Sequence, residues 1–103
     1  QPHLYTRTRD FYQDFADALS LLDEVILLDI YPAREQPIAG VTSQLIFDRL
    51  RPDMQRRMAH LQDLPQIAEQ EDFDVLVVLG AGGAHTYCPQ IADILRAKYH
   101  IEA

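Results

Sequence analysis

Two stretches of the chain are continuously apolar, Val25–Leu28 inside Glu24–Tyr31 and Val75–Leu79 inside Phe73–Leu79. A strand with one face in water alternates apolar and polar residues. A strand covered on both faces, as in a parallel sheet, does not. Both stretches are therefore read as strands of a parallel sheet. Between and around them the period becomes helical. Phe11, Phe15, Ala18, Leu19 and Leu22 recur at i, i+4, i+7, i+8 and i+11, which predicts an amphipathic helix over Thr8–Leu22. Thr6 or Thr8 can cap it, and Asp10 falls in its first turn, where the helix dipole favours an acid. Ser43 is placed to cap a short helix, Gln44–Leu50, which Arg51-Pro52 ends. A weak strand is expected near Arg57–His60. Asp63 caps a helix running to Gln70, with Pro65 in its first turn and Gln66 at the capping-box position. After the Gly80–Gly83 turn, a last helix spans Thr86–Lys98, with Tyr87, Ile91, Ile94 and Leu95 turned inward.

The resulting order is helix, strand, helix, weak strand, helix, strand, helix. Alternation of this kind implies βαβ units, a mostly parallel sheet and helices on both faces. Such a domain normally opens on a strand, whereas this chain opens on a loop and a helix. A strand is therefore expected just before Gln1, so the chain reads as an α/β domain truncated at its N-terminal side.

A length of 103 residues suits one domain, and 48% hydrophobic residues suffice for a core without staples. The 16 acidic residues outnumber 9 basic ones, giving a net charge of −7. That balance argues against a nucleic-acid partner. Lys98 is the sole lysine, so arginine supplies nearly all the positive charge, and arginine favours bidentate contacts to carboxylate or phosphate. Cys88 is alone, which rules out an internal disulfide and suits a reducing, cytoplasmic compartment. It is read as a buried thiol near a helix start. No apolar run approaches the roughly 18 residues of a membrane span, so no membrane partner is expected.

In an open parallel sheet, ligands bind beyond the carboxyl ends of the strands. Three stretches fall there. Gln1–Arg9 concentrates His3, Tyr5, Thr6, Arg7, Thr8 and Arg9 before a helix, where amide donors and a guanidinium suit a carboxylate or phosphate. A solvated helix start with surface arginines fits the same residues. Asp29–Glu35 holds Asp29, Tyr31, Arg34 and Glu35, either as a binding loop or as a proline-stiffened loop with an exposed Arg34–Glu35 pair. Gly80–Thr86 has the context of a phosphate-cradling turn, but His85 stands where a dinucleotide motif needs its last glycine. A tight turn in which glycine lets backbones approach is the alternative. The four histidines show no metal-ligand spacing. No G-x-x-x-x-G-K-[ST] loop occurs.

The opening QPHLYTRTRD resembles a segment of UDP-N-acetylmuramate–L-alanine ligases, members of the Mur ligase family, which carry Gln-Pro-His-Arg-Tyr-Ser/Thr-Arg-Thr-Arg-Asp after a strand. The chain matches at Gln1, Pro2, His3, Tyr5, Thr6, Arg7, Thr8, Arg9 and Asp10, and departs at Leu4. LLDIYPAREQPIAGVTS and FDVLVVLGAG are similar to later family segments, in the same order. After Gly82 the likeness weakens.

The resemblance implies that residues 1–103 are part of the C-terminal, third domain of a three-domain ligase, with a Rossmann-like three-layer fold. It implies ATP and Mg²⁺ bound mainly by domains absent from this chain, with L-alanine and UDP-N-acetylmuramate as substrates in the full-length enzyme. The sugar's carboxylate becomes an acyl phosphate that the amine of L-alanine attacks, and the third domain helps bind amino acid and nucleotide on closure. This fragment alone is expected to be inactive. His3 and Arg7 resemble positions beside the bound amino acid, with Tyr5, Thr6, Arg9 and Arg34 as possible support. A muropeptide-recycling Mur ligase and a stand-alone, non-catalytic small-molecule-binding module are the alternatives.

Overall fold

In the computed structural model of the chain, residues 1–80 and 82–100 are described. Ala81 of the glycine-rich turn lies outside them, as do residues 101–103. The first strand, β1 (Glu24–Leu27), pairs in parallel with β2 (Gln55–Met58), in register from Glu24↔Gln55 to Leu27↔Met58. Ala59 N–H continues the pairing to Leu27 O at 2.9 Å. The weak strand thus exists, two residues ahead of its expected start. Its only fully apolar residue is Met58, so composition alone under-reads it.

Helix α1 runs over Tyr5–Leu19, three residues earlier at each end than its pattern predicts. The buried face explains the shift. Thr8 and Ala16 are fully buried, and Tyr12, Phe15 and Leu19 pack against the core. These residues have the predicted spacing, displaced by three positions. Phe11 and Leu22, expected inside, are about half exposed, and Phe11 has non-helical angles that kink the helix. Neither threonine caps the helix through its side chain.

Helix α2 (Gln44–Phe47) is shorter than expected. Ser43 does not cap it; its hydroxyl donates to Leu28 O instead, which fastens the helix to the end of β1. One core joins these elements: Ala16, Val25, Leu27, Ile46, Leu50 and Met54. Arg56 reaches over from β2, donating to Phe47 O at 2.8 Å and Leu50 O at 3.3 Å while lying on the Phe47 ring.

A single 3₁₀ turn (Leu61–Asp63) precedes α3 (Leu64–Gln70), and a second (Ala84–Tyr87) precedes α4 (Cys88–Lys98). Asp63 serves the first turn rather than α3, accepting from His60 N–H at 2.8 Å. The α3 and α4 helices pack on one another through Lys98. Its ammonium donates to Ala68 O and Glu71 O, two carbonyls at the C-terminal end of α3, where the helix dipole favours a cation.

Phe73–Leu79, the expected second strand, is not one. Among the described residues it takes part in one backbone-to-backbone contact alone, accepting at Leu79 O from the Gln1 nitrogen. Val75 is 78% exposed and Val77 62%. The chain is an α/β fold with a two-stranded parallel sheet among its described residues. Its radius of gyration of 14.4 Å exceeds the roughly 13 Å of a compact chain this long. The looseness lies at this segment: a cleft of about 790 Å³ separates it from β1.

Candidate functional site

The three stretches assigned to the sheet edge do come together there. Pro2–Leu4 runs parallel beside Tyr31: Leu4 N–H donates to Tyr31 O and Tyr31 N–H donates to Pro2 O, both at 2.8 Å. The His3 ring stacks on Tyr31 with centroids 5.6 Å apart and planes 14° from parallel. The other close neighbour of Tyr31 is the glycine turn. A Cβ on Gly82 would sit 2.3 Å from Tyr31 Cγ, and one on Gly83 would sit 2.5 Å from Leu61 Cδ2. Glycine is required here for close approach. The side chains of Tyr31 and Leu61 lie against Gly82 and Gly83. Gln1 ties the turn to the opening stretch, its Oε1 accepting from Ala84 N–H at 2.9 Å.

The start of α1 is built differently from the sequence expectation. Leu4 takes φ +72°, a conformation costing a non-glycine residue about 1–3 kcal/mol. The surrounding bonds hold it there: its N–H is on Tyr31 O, and its carbonyl accepts from Thr8 N–H at 3.2 Å and Thr8 Oγ1 at 2.9 Å. The helix-start donors reserved for a ligand are taken by Glu35, whose carboxylate accepts from Thr6 N–H at 3.1 Å and Thr6 Oγ1 at 2.5 Å. Those bonds, the hydroxyl first, hold the Glu35 carboxyl below the ordinary carboxylate range. The loop acid therefore pairs with the helix, not with Arg34.

The arginines divide into two kinds. Arg9 is committed to Asp10, at 2.8 Å from Nε and 3.4 Å from Nη2, on the exposed side of α1. This pairing lowers the Asp10 carboxyl. Arg7 and Arg34 are exposed and have no carboxylate partner among the described residues. Tyr5 and Thr6 are half-buried at the first turn of α1. The opening stretch thus carries a His3 held by stacking and an exposed Arg7, and the loop after β1 carries an exposed Arg34. Such a surface can receive a small anion such as a carboxylate.

Asp29 and His60 also meet at this edge, although the sequence did not single them out as a pair. Asp29 Oδ2 lies 2.7 Å from His60 Nδ1, and this bond favours the protonated ring. The two follow β1 and β2, so only the strand register brings them together. Cys88, expected to be buried, is exposed. It stands at the start of α4 on a turn that Ile91, not the thiol, anchors. Among the described residues, no group of three metal-binding side chains occurs, and no helix is long and apolar enough to cross a membrane.

No family model matches the chain. Curated relatives do. A UDP-N-acetylmuramate–L-alanine ligase of Phocaeicola vulgatus is 60% identical over 98 residues, which is 95% of this chain and 21% of that protein. Proteins of the same name from Parabacteroides distasonis and Porphyromonas gingivalis are 47% and 55% identical over 92% and 80% of the chain. The chain covers 20% and 18% of their lengths respectively. It therefore spans about a fifth of the relatives it matches, and throughout that span its sequence is theirs in kind. The 103 residues belong to the UDP-N-acetylmuramate–L-alanine ligase family, as a fragment of one of its members.

Proposed function

We propose that this chain is part of the C-terminal, third domain of the ATP-dependent ligase that joins L-alanine to UDP-N-acetylmuramate in peptidoglycan synthesis. In this reading the domain is Rossmann-like with three layers, and its task is to position the amino acid as the domains close. His3 and Arg7 face the alanine. The carrying observation is the contrast among the arginines. Arg7 stays unpaired at the start of α1, close in sequence to a stacked His3, while neighbouring Arg9 is bound to Asp10. A free guanidinium held on a helix suits the carboxylate of a small amino acid. Binding the carboxylate leaves the amine free to attack the activated sugar carboxylate. The gain is one of orientation and charge, not of covalent catalysis by the protein.

Arg34 is the second free cation of the same edge and supports the same anion. Thr6, through its hydroxyl and its N–H, and Tyr5, through its backbone, hold the Glu35 loop against α1. In this reading ATP and Mg²⁺ are bound mainly by the parts of the full-length protein that this chain does not contain, and this domain contributes to nucleotide binding as the domains close. Steady-state kinetics of the full-length enzyme test the reading. Arg7→Ala raises the alanine KM far more than the ATP KM. An equal rise in both would make Arg7 structural and sink the assignment.

A further inference from the structure

The ladder between β1 and β2 ends at Leu27↔Met58, with Ala59 N–H on Leu27 O as its last bond. Beyond it the two chains part, and the Leu28 carbonyl accepts from the Ser43 hydroxyl instead of from β2. One further link joins them. The register pairs Glu24 with Gln55, an offset of 31, and the same offset sets Asp29 opposite His60. In that position Asp29 Oδ2 lies 2.7 Å from His60 Nδ1. A side-chain bond thus carries the pairing two residues past the backbone ladder. Asp29 first, with Asp63 adding, favours the charged ring, which makes the bond a charge-assisted one. Each chain then meets the glycine turn. Tyr31, two residues after Asp29, lies against Gly82, and Leu61, next after His60, lies against Gly83. The His60 side is fastened separately, because His60 N–H donates to Asp63 at 2.8 Å in the turn ahead of α3. Tyr31 bonds to Pro2 and Leu4, and His3 stacks on its ring.

We propose that Asp29 and His60 are positioning residues: their hydrogen bond clasps the site end of the sheet, sets Tyr31, and through the Tyr31 ring sets His3 for the incoming amino acid. Both partners are more than half exposed, so the bond contributes little to global stability. Its place gives it a different role. It ties the stretch that carries Tyr31 to the firmer end of β2, at the joint between the sheet and the site. Without it, Asp29–Tyr31 is free to shift against β2, and the Tyr31 ring carries His3 along. Displacements of about 1 Å are enough to spoil the orientation of a bound reactant. The effect on the amino acid rests on the reading of His3 as an alanine contact; the clasp on Tyr31 does not.

NMR of the full-length protein with isotope-labelled histidine gives the direct test. The His3 signal is the one missing from His3→Gln, and stacking on Tyr31 sets its chemical shift. It should move in His60→Ala and in Asp29→Ala. It should return in His60→Asn, whose side-chain amide donates from the place of Nδ1. The alanine KM should follow the signal, rising about fivefold in both alanine variants and recovering in His60→Asn, with the ATP KM unchanged. The melting temperature should stay within about 2 °C of the parent. Asp29→Ala and His60→Ala combined should lose no more than either alone, because one bond is removed in each case. A His3 signal unmoved by His60→Ala, no recovery in His60→Asn, or losses that add in the double variant would overturn the inference. So would an unchanged alanine KM in an enzyme where Arg7→Ala has raised it. If Arg7→Ala raises no KM selectively, the alanine reading falls, and the His3 signal alone decides the clasp.

Discussion

The two flanks of β1 have the same kind of sequence and opposite fates. On one flank Val25 and Leu27 are 5% and 4% exposed, sealed by α1, α2 and β2. On the other, Ile26 looks into a cleft whose far wall carries Val75 and Val77, mostly in water. Hydrophobicity does not separate them, since FDVLVVL is at least as apolar as EVILLDI. Connectivity does. The closed flank receives its partners from within residues 5–58, whereas Phe73–Leu79 has no strand partner among the described residues. An apolar run has the potential to be a strand, but a strand also needs a neighbour to bond with.

Ile46→Ala gives the largest effect. Ile46 is 1% exposed at the centre of the closed flank, and removing its side chain costs about 3 kcal/mol of unfolding free energy in urea titration. Val75→Ala in this chain shifts the same measurement by less than about 0.5 kcal/mol. Equal costs at the two positions would break the comparison, because they would mean that the open flank is packed after all.

Next in size is Gly82→Ala. Tyr31 lies where the two flanks meet, with His3 stacked on it and Gly82 pressed against its ring. A methyl group at Gly82 displaces that ring and His3 with it. In the full-length enzyme, kcat/KM for alanine should fall by about tenfold, with circular dichroism unchanged. Unaltered kinetics would show that stacking on Tyr31 does not set the position of His3 for substrate.

What the sequence revealed and what it hid follow the same division. The helices were legible from period and turn residues, and α4 was placed to within two residues of its start. The α1 stripe was legible in spacing but not in phase, because Thr8 is buried and Tyr12 partly buried in place of the more hydrophobic Phe11 and Leu22. β2 nearly escaped notice, since Gln-Arg-Arg-Met takes its strand character from β1 and not from its own residues. At the site, the three stretches meet at Tyr31 although only the one after β1 follows an observed strand. The capture of the α1 donors by Glu35 could not be read, because a contact spanning 29 residues depends on how the Pro32–Gly40 loop folds back. The Asp29–His60 pair was hidden for the same reason, as it exists only in one register of the two strands.

The smallest predicted effect concerns that Glu35 contact and depends on pH. Two bonds from Thr6 depress the Glu35 carboxyl in the folded chain below its unfolded value near 4.5. A carboxylate so depressed stabilises the fold at every pH above the unfolded value, and the stabilisation is lost as pH falls through the folded one. Glu35→Ala should therefore melt below the parent at pH 7. The gap should begin to narrow below about pH 4.5 and close under more acidic conditions, as the parent's own Glu35 takes up a proton. The closed core has no such dependence, so Ile46→Ala keeps its deficit over the same range. If the Glu35→Ala gap stayed constant from pH 7 to strong acid, the loop would be held by packing around Tyr31 rather than by its charge.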